Sequence, residues 1–372
     1  NNFNNPHHPR SLSFPPGESS VFQRELSDLI DVLKTTIPSL IEGDTFKARV
    51  NTINEELRRK IEKLFHSVEE KANNDNIALI RGEQGILFTP MDASKKPMDQ
   101  AAFHRLPAEN RKKLENLMAK YQLELQGIMS QITDLKREAE EFRRKMKNET
   151  VGLAVTSLTN TLKKKYEERP SIIEYLQEFE KDLINNSDDF LSQPEGEPVS
   201  LARLLKSYSS SFEKYAINIM VGSTAGSGAP VIYEDLPTYQ NLHGRIEHIA
   251  QMGVLSTNFT LIKPGSLHRA NGGYIIIDAS RLLMQPYAYE GLKRTLRSGQ
   301  IRIEPIERLL GLMSTVTLEP EPIPLDTKVI LIGDSLLSYL LKHYDPEFRS
   351  LFKVQADFEH QMDRSVDNIH RY

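Results

Sequence analysis

Two aspartates in this chain each close a run of apolar residues. Tyr274, Ile275, Ile276 and Ile277 lead to Asp278 in "HRANGGYIIIDAS", and Val329 to Ile332 lead through Gly333 to Asp334 in "KVILIGD". A short apolar run bounded by glycines reads as a buried strand. Ligands of open α/β sheets gather at the carboxyl ends of the strands. An acid there is placed to hold Mg2+ directly or through water, while a polar residue on an adjacent strand senses a γ-phosphate. An ordinary core strand can also end in aspartate, so on these residues alone both readings stay open. The other half of such a site is a phosphate loop, GxxxxGK[ST]. No Gly-Lys pair occurs in the sequence, and the "GSTAGSGAP" tract, with glycines four apart, reads as a plain loop.

The elements that must position these acids lie in the last third. "FTLIKPG", "GGYIIID", "IRIEP", "STVTLEP" and "KVILIGD" read as strands, with helices between them. One helix, "QPYAYEGLKRTLRSG", ends at Gly299 with cations in its last turns. Apolar strands alternating with helices predict a largely parallel α/β sheet.

Upstream the pattern changes. Ile53, Leu57, Ile61, Leu64, Val68 and Ala72 recur at steps of three and four, and "IALIRGEQGILFTP" predicts a β-hairpin near 77–90. Leu114, Met118, Tyr121, Leu125, Ile128, Ile132, Leu135, Ala139, Phe142 and Met146 then follow at alternating steps of four and three, a heptad seam. Its nearest antiparallel partner is the 53–72 stretch, and charge runs such as "KREAEEFRRKMK" read as its solvated face. Leu158 to Phe190 is helical again, restarting at Pro170. Near the start, Ser19 and Ser20 are candidate caps for a helix carrying Phe22, Leu26, Leu29, Ile30 and Leu33. His7 and His8 have no third ligand nearby and read as loop residues. The resulting domains are 1–45 and 196–372, two parts of one α/β core, and 46–195, a helical insertion with coiled-coil character. "SQPEGEP" reads as the linker after it.

Composition bounds the function classes. The 372 residues suggest roughly two to three domains. Net charge is −4 with no basic block, which gives nucleic-acid binding no support. There are no cysteines, so disulfides and thiolate metal sites are excluded and a cytoplasmic setting fits. No apolar run approaches the ~18 residues of a membrane span. The chain begins at Asn1 and ends at "NIHRY", and it reads as a piece of a longer protein.

The lead-in "GSLHRANGGYIIID" resembles the approach to the Walker B strand in AAA+ ATPases of the Lon, MCM and magnesium-chelatase group. "NNFNNPHHPRSLSFPPG", "APVIYEDLPTYQNLHGRIEH", "LKRTLRSGQIRIE" and "DPEFRSLFKVQADFE" resemble more closely the Lon-like proteases with a large helical insertion in the ATPase domain. This resemblance spans essentially the whole chain. It implies an AAA+ core, ATP and Mg2+ as cofactors, unfolded or damaged proteins as substrates, and a homo-oligomeric ring, a hexamer. It also implies a phosphate loop upstream and a Ser-Lys protease domain downstream, so no catalytic dyad is expected within these residues.

By the same resemblance Asp278 matches the Walker B magnesium acid, Asp334 falls at sensor 1, and Arg349 is the candidate arginine finger. Two departures stand out. Ala279 occupies the position where most AAA+ proteins place the water-activating glutamate, and the spacing of Arg349 to Phe352 departs from the usual Arg-Phe pair. Arg349 therefore reads equally as a plain surface arginine. Arg245, Glu247, His268 and Arg269 line a nucleotide or subunit interface, or else form a structural polar network. Two rival readings remain: a degenerate, ATP-independent scaffold that gates or delivers substrate, and an MCM-like or chelatase-like motor.

Overall fold

The computed structural model describes residues 1–82, 85–92, 95–191, 212–222, 226–251, 254–306, 311, 318–359 and 361–371. The chain divides into two compact units, one of residues 32–160 and 183–194, the other of residues 1–31, 161–182 and 195–372. The expected linker "SQPEGEP" and most of the strand "STVTLEP" lie outside the described residues.

In the first unit, helix α2 (Asp44–Asn74) leads into strands β1 (Ile77–Gly82) and β2 (Gly85–Pro90), antiparallel with Ile80 opposite Leu87. Helix α1 (Glu18–Glu42) precedes them. The reversal after α2 is made at Asn76, whose φ of 57° is a conformation asparagine tolerates better than most residues. A short α3 (Gln100–His104), capped by the Asp99 side chain, precedes α4 (Ala108–Lys165). Val68 and Ala72 of α2, Ile77 and Phe88 of the hairpin, and Tyr121, Leu125, Ile128 and Ile132 of α4 form one core.

Polar contacts fix the direction of the helix pair. Lys71 meets Glu124, and Asn54 accepts from Arg143 Nη1 at 2.8 Å, so α2 and α4 run antiparallel. The Tyr121 hydroxyl lies 2.6 Å from the Asp75 carboxylate and 3.0 Å from the Lys71 carbonyl. The bond to Asp75, with burial, pushes its pKa up to about 12.

The expected seam breaks at one point. Ala139 is buried, but Phe142 is 59% exposed, and Arg143 turns inward instead before Val151 and Val155 continue the buried line. A straight helix of 3.6 residues per turn drifts relative to a heptad, and after several heptads a step of four replaces a step of three.

In the second unit, α1 begins at Glu18, so Ser19 and Ser20 lie inside its first turn rather than at the cap. Phe22 packs edge-on against Tyr166 at 5.2 Å, and Phe14 sits 5.1 Å from Phe22. Helix α5 (Pro170–Asn185) starts at the proline, as expected. The extended amino-terminal segment lays Phe3 between Tyr175 and Tyr215 and ties Arg10 to Glu174 and Glu178.

The sheet of this unit is parallel, ordered β11 (Lys328–Ile332), β8 (Tyr274–Asp278) and β3 (Val231–Glu234). Between β3 and β8 come α6 (Tyr239–His243), the pair β4 (Arg245–Ile246) with β7 (Ile262–Lys263), the hairpin strands β5 (Ile249–Gln251) and β6 (Val254–Ser256), and α7 (Ser266–Arg269). Helices α8 (Ala279–Met284) and α9 (Ala288–Ser298) follow β8, while α10 (Ser335–Tyr344) and α11 (Phe348–Leu351) follow β11. The first three residues of "FTLIKPG", Phe259–Leu261, form a 3-10 turn, and only Ile262–Lys263 is strand, as β7. "IRIEP" contributes only the end of β9 (Gln300–Ile301), which pairs with β10 (Ile323–Pro324).

One face of β8 turns Ile275 and Ile277 onto Leu242, Leu267, Ala270, Leu282, Ala288 and Leu292. Each fully buried aliphatic side chain of this kind stabilises the unit by about 1.5–3 kcal/mol. Helix α9 ends where the sequence implied, at Gly299, with a φ of 65°. This core fixes the carboxyl ends of β3, β8 and β11 on one edge of the sheet.

Candidate functional site

Each of the three parallel strands delivers an acid to that edge. Asp278, half-buried, is the last residue of β8 and lies in register with Ile332 of β11. Its Oδ1 accepts from the Arg281 amide at 2.9 Å and so caps α8. Its second oxygen has no hydrogen bond among the described residues. Asp334 sits two residues beyond β11, exposed, and caps α10 in the same way, accepting from the Leu337 amide at 2.6 Å. The parallel pairing thus brings the two sequence-flagged aspartates to neighbouring strand ends.

Ala279, the first residue of α8, is only 5% exposed. A Cβ built on Gly333 would lie 3.3 Å from that of Ala279, so the backbone turn after β11 closes tightly over it.

The sequence reading passed over the third strand end. Glu234, at the end of β3, is 7% exposed; Oε1 accepts from the Leu236 amide at 3.2 Å and Oε2 lies 3.5 Å from Arg269. Next to it Asp235 binds the Arg281 guanidinium through both its carboxylate and its carbonyl oxygen. The signal was present in "VIYED", an apolar run ending in acids like "YIIID", but Tyr233 and the run's brevity masked it.

The other flagged polar residues separate. Arg245 and Glu247 pair with each other on the surface at 2.8 Å. His268 lies in the core, where its Nδ1 accepts from the Gly265 amide at 3.2 Å and its Nε2 has no partner among the described residues. His243 is also buried, with Nδ1 3.1 Å from the Tyr239 carbonyl and Nε2 3.0 Å from Thr295 Oγ1. Burial pulls both imidazoles down to about 4. His8 lies 3.6 Å from Glu319. Among the described residues no group of three or more His, Asp or Glu side chains could hold a metal on its own.

Arg349, on α11, is exposed and has no ion-pair partner among the described residues. The corner that carries it is held firmly. Lys293 of α9, its side chain 9% exposed, reaches Asp345 at 3.1 Å, Glu347 at 3.5 Å and Glu290 at 2.9 Å. The Tyr289 hydroxyl donates to Asp345, and Arg297 binds Glu347 at 2.7 Å. Burial opposes the charge on Lys293, but the bonds to Glu290 and Asp345 outweigh it and leave its pKa raised. Burial likewise pushes Asp345 up, and the bonds from Tyr289, Lys293 and the Glu347 amide more than reverse this, leaving it below the usual carboxylate range.

The parallel sheet thus carries acids at the ends of adjacent strands, and a separate corner presents an arginine. A family model for the LonB-like AAA domain matches residues 227–359, which include the three-stranded sheet, Asp278, Asp334 and Arg349. A second model, for the Lon-like LonC helical domain, matches residues 1–29. No curated protein matches the chain. The two family matches support membership of the Lon-like protease family, and the AAA domain implies nucleotide binding. Among the described residues no helix is long and apolar enough to cross a membrane.

Proposed function

We propose that this chain is the ATPase and substrate-handling segment of a Lon-like ATP-dependent serine protease that unfolds and degrades proteins as a homo-oligomeric, hexameric ring. The observation that carries the reading is Asp278: a carboxylate at the end of a central parallel strand, with one oxygen committed to a helix cap and the other without a hydrogen bond among the described residues. Such an acid fits Mg2+, which keeps most of its waters and takes only one or two protein carboxylates beside the nucleotide phosphates. Asp278 would hold the ion, directly or through water, and Asp334 would sense the γ-phosphate from the next strand. Arg349 would meet the phosphates of a neighbouring copy. The bound ion would neutralise charge on the phosphates. Residues 46–195 are assigned as the helical insertion, which recognises substrate or braces neighbouring subunits.

Ala279 favours a second reading. With no acid immediately following Asp278 to orient a water, the same fold could gate or deliver substrate without ATP turnover. ATP binding, ATP turnover and casein degradation by the full-length protein, beside an Asp278→Asn variant, separate the two. The motor reading expects turnover and degradation to fall together in the variant. Degradation that is indifferent both to ATP and to Asp278→Asn would overturn it in favour of the scaffold.

A further inference from the structure

Lys293 occupies an expensive position. A cation that is nine-tenths buried and surrounded by three carboxylates recovers in pairing what it loses in desolvation, and apolar side chains often fill such a place at equal or better stability. Its return here is geometric. Tyr289, Lys293 and Arg297 stand at i, i+4 and i+8, one stripe along α9. All three read the same short corner, through Asp345 and Glu347. Within the corner Asp345 accepts from the Glu347 amide at 2.9 Å, Phe348 is buried, and Phe352 stacks on it at 4.9 Å. Arg349 follows Glu347 by two residues. It is therefore mounted on a rigid base while its own guanidinium is left open to solvent.

We propose that Lys293 is a positioning residue for Arg349, and that the α9 stripe aims this arginine at an anionic group on another molecule, the phosphates of a nucleotide held by a second copy. This rests on the nucleotide-handling reading above and adds the element that sets the arginine's direction. The other end of the same stretch is anchored at the strand acid, because α8, capped by Asp278, leads directly into α9. One continuous segment thus connects the candidate magnesium acid to the base of the candidate finger.

The test is ATP turnover by the full-length protein, with excess enzyme in single-turnover format so that slow variants remain measurable. Lys293→Met should lower the turnover rate about tenfold and leave the nucleotide affinity within about twofold, because Lys293 touches no nucleotide. Lys293→Met leaves Asp345 without its cation and weakens the fold, so Arg297→Gln serves as a milder second variant. Its ion pair is largely exposed, and it should lower turnover about threefold. Both effects should vanish when combined with Arg349→Ala, since residues acting through one group are not additive. Losses that persist in full in the Arg349→Ala background overturn the positioning role while leaving the nucleotide reading intact. Wild-type turnover by Arg349→Ala overturns this inference and leaves the Asp278 reading standing, whereas no turnover by the unsubstituted protein overturns both.

Discussion

Asp278 and Arg281 are joined by one hydrogen bond, and Arg281 carries the link on to the neighbouring strand. The Asp278 carboxylate accepts the Arg281 amide at 2.9 Å and begins α8, while the Arg281 side chain crosses to Asp235 at the end of the neighbouring strand. A structural role and a proposed metal-binding role therefore meet in one carboxylate, and a single substitution would confound them. Two substitutions separate them. Asp278→Asn keeps an oxygen for the cap and should leave stability almost unchanged, whereas Asp278→Ala should cost about 1 kcal/mol. Both should lower ATP turnover by roughly a hundredfold or more, the scale of losing one preorganised charge-stabilising group. Urea midpoints and turnover, measured on the same preparations, decide this. Equal turnover in Asp278→Asn and the unsubstituted protein would remove the aspartate from the chemistry.

A second prediction concerns how β3 and β8 are brought side by side. The Pro230 carbonyl accepts from the Tyr274 amide at 2.7 Å, and it lies so close to Gly273 that an added Cβ would come within 2.1 Å of it. Gly273→Ala must push β3 away at the start of the parallel pair and should cost about 3 kcal/mol. A shift in urea midpoint worth less than about 0.5 kcal/mol would show that the strands can part freely there.

Much of this was legible from spacing alone. Tyr274 to Asp278 and Val329 to Ile332 announce their strands as short apolar runs closed by glycine or an acid. Pro170 and Gly299 announce helix ends because each constrains the backbone in one direction. What stayed hidden depends on three-dimensional neighbours. Glu234 escapes notice in the sequence because only the pairing of β3 with β8 puts it beside Ile277. The Lys293 cluster joins residues about fifty positions apart that no local pattern connects. Ser19 and Ser20 looked like caps by residue type, yet Glu18 already belongs to the helix. Phe142 fitted the heptad perfectly on paper, but a heptad describes a supercoiled seam, and this helix lets the phase slip.

That slip gives a third prediction. Ile132 is 5% exposed in the α2–α4 core, and Ile132→Ala should cost about 2–5 kcal/mol. Phe142, ten residues on and 59% exposed, should accept serine with a change of no more than about 0.5 kcal/mol. Thermal or urea unfolding of the two variants measures the difference. Equal losses would mean that the heptad reading is right and that Phe142 is covered in the native protein.

The last prediction is a pH dependence carried by the two buried histidines. His243 faces Arg294 and Glu304, and His268 faces His243; burial is the largest cause of both shifts. Their pKa values fall from 6.5 to about 4 on folding. As pH drops below 6.5 the unfolded chain takes up protons that the folded one refuses. The stability associated with two neutral imidazoles is therefore complete above 6.5, declines through the window down to about 4, and declines no further below it. Each histidine contributes a slope of at most about 1.4 kcal/mol per pH unit. Asp345 acts outside this window, because its depressed pKa places its loss of stability below the ordinary 3.8. Urea midpoints at pH 7, 6 and 5 should fall steadily, and His243→Gln should roughly halve the slope whatever it does to the absolute midpoint. If the variant keeps the full slope, acid sensitivity in this range arises elsewhere in the protein.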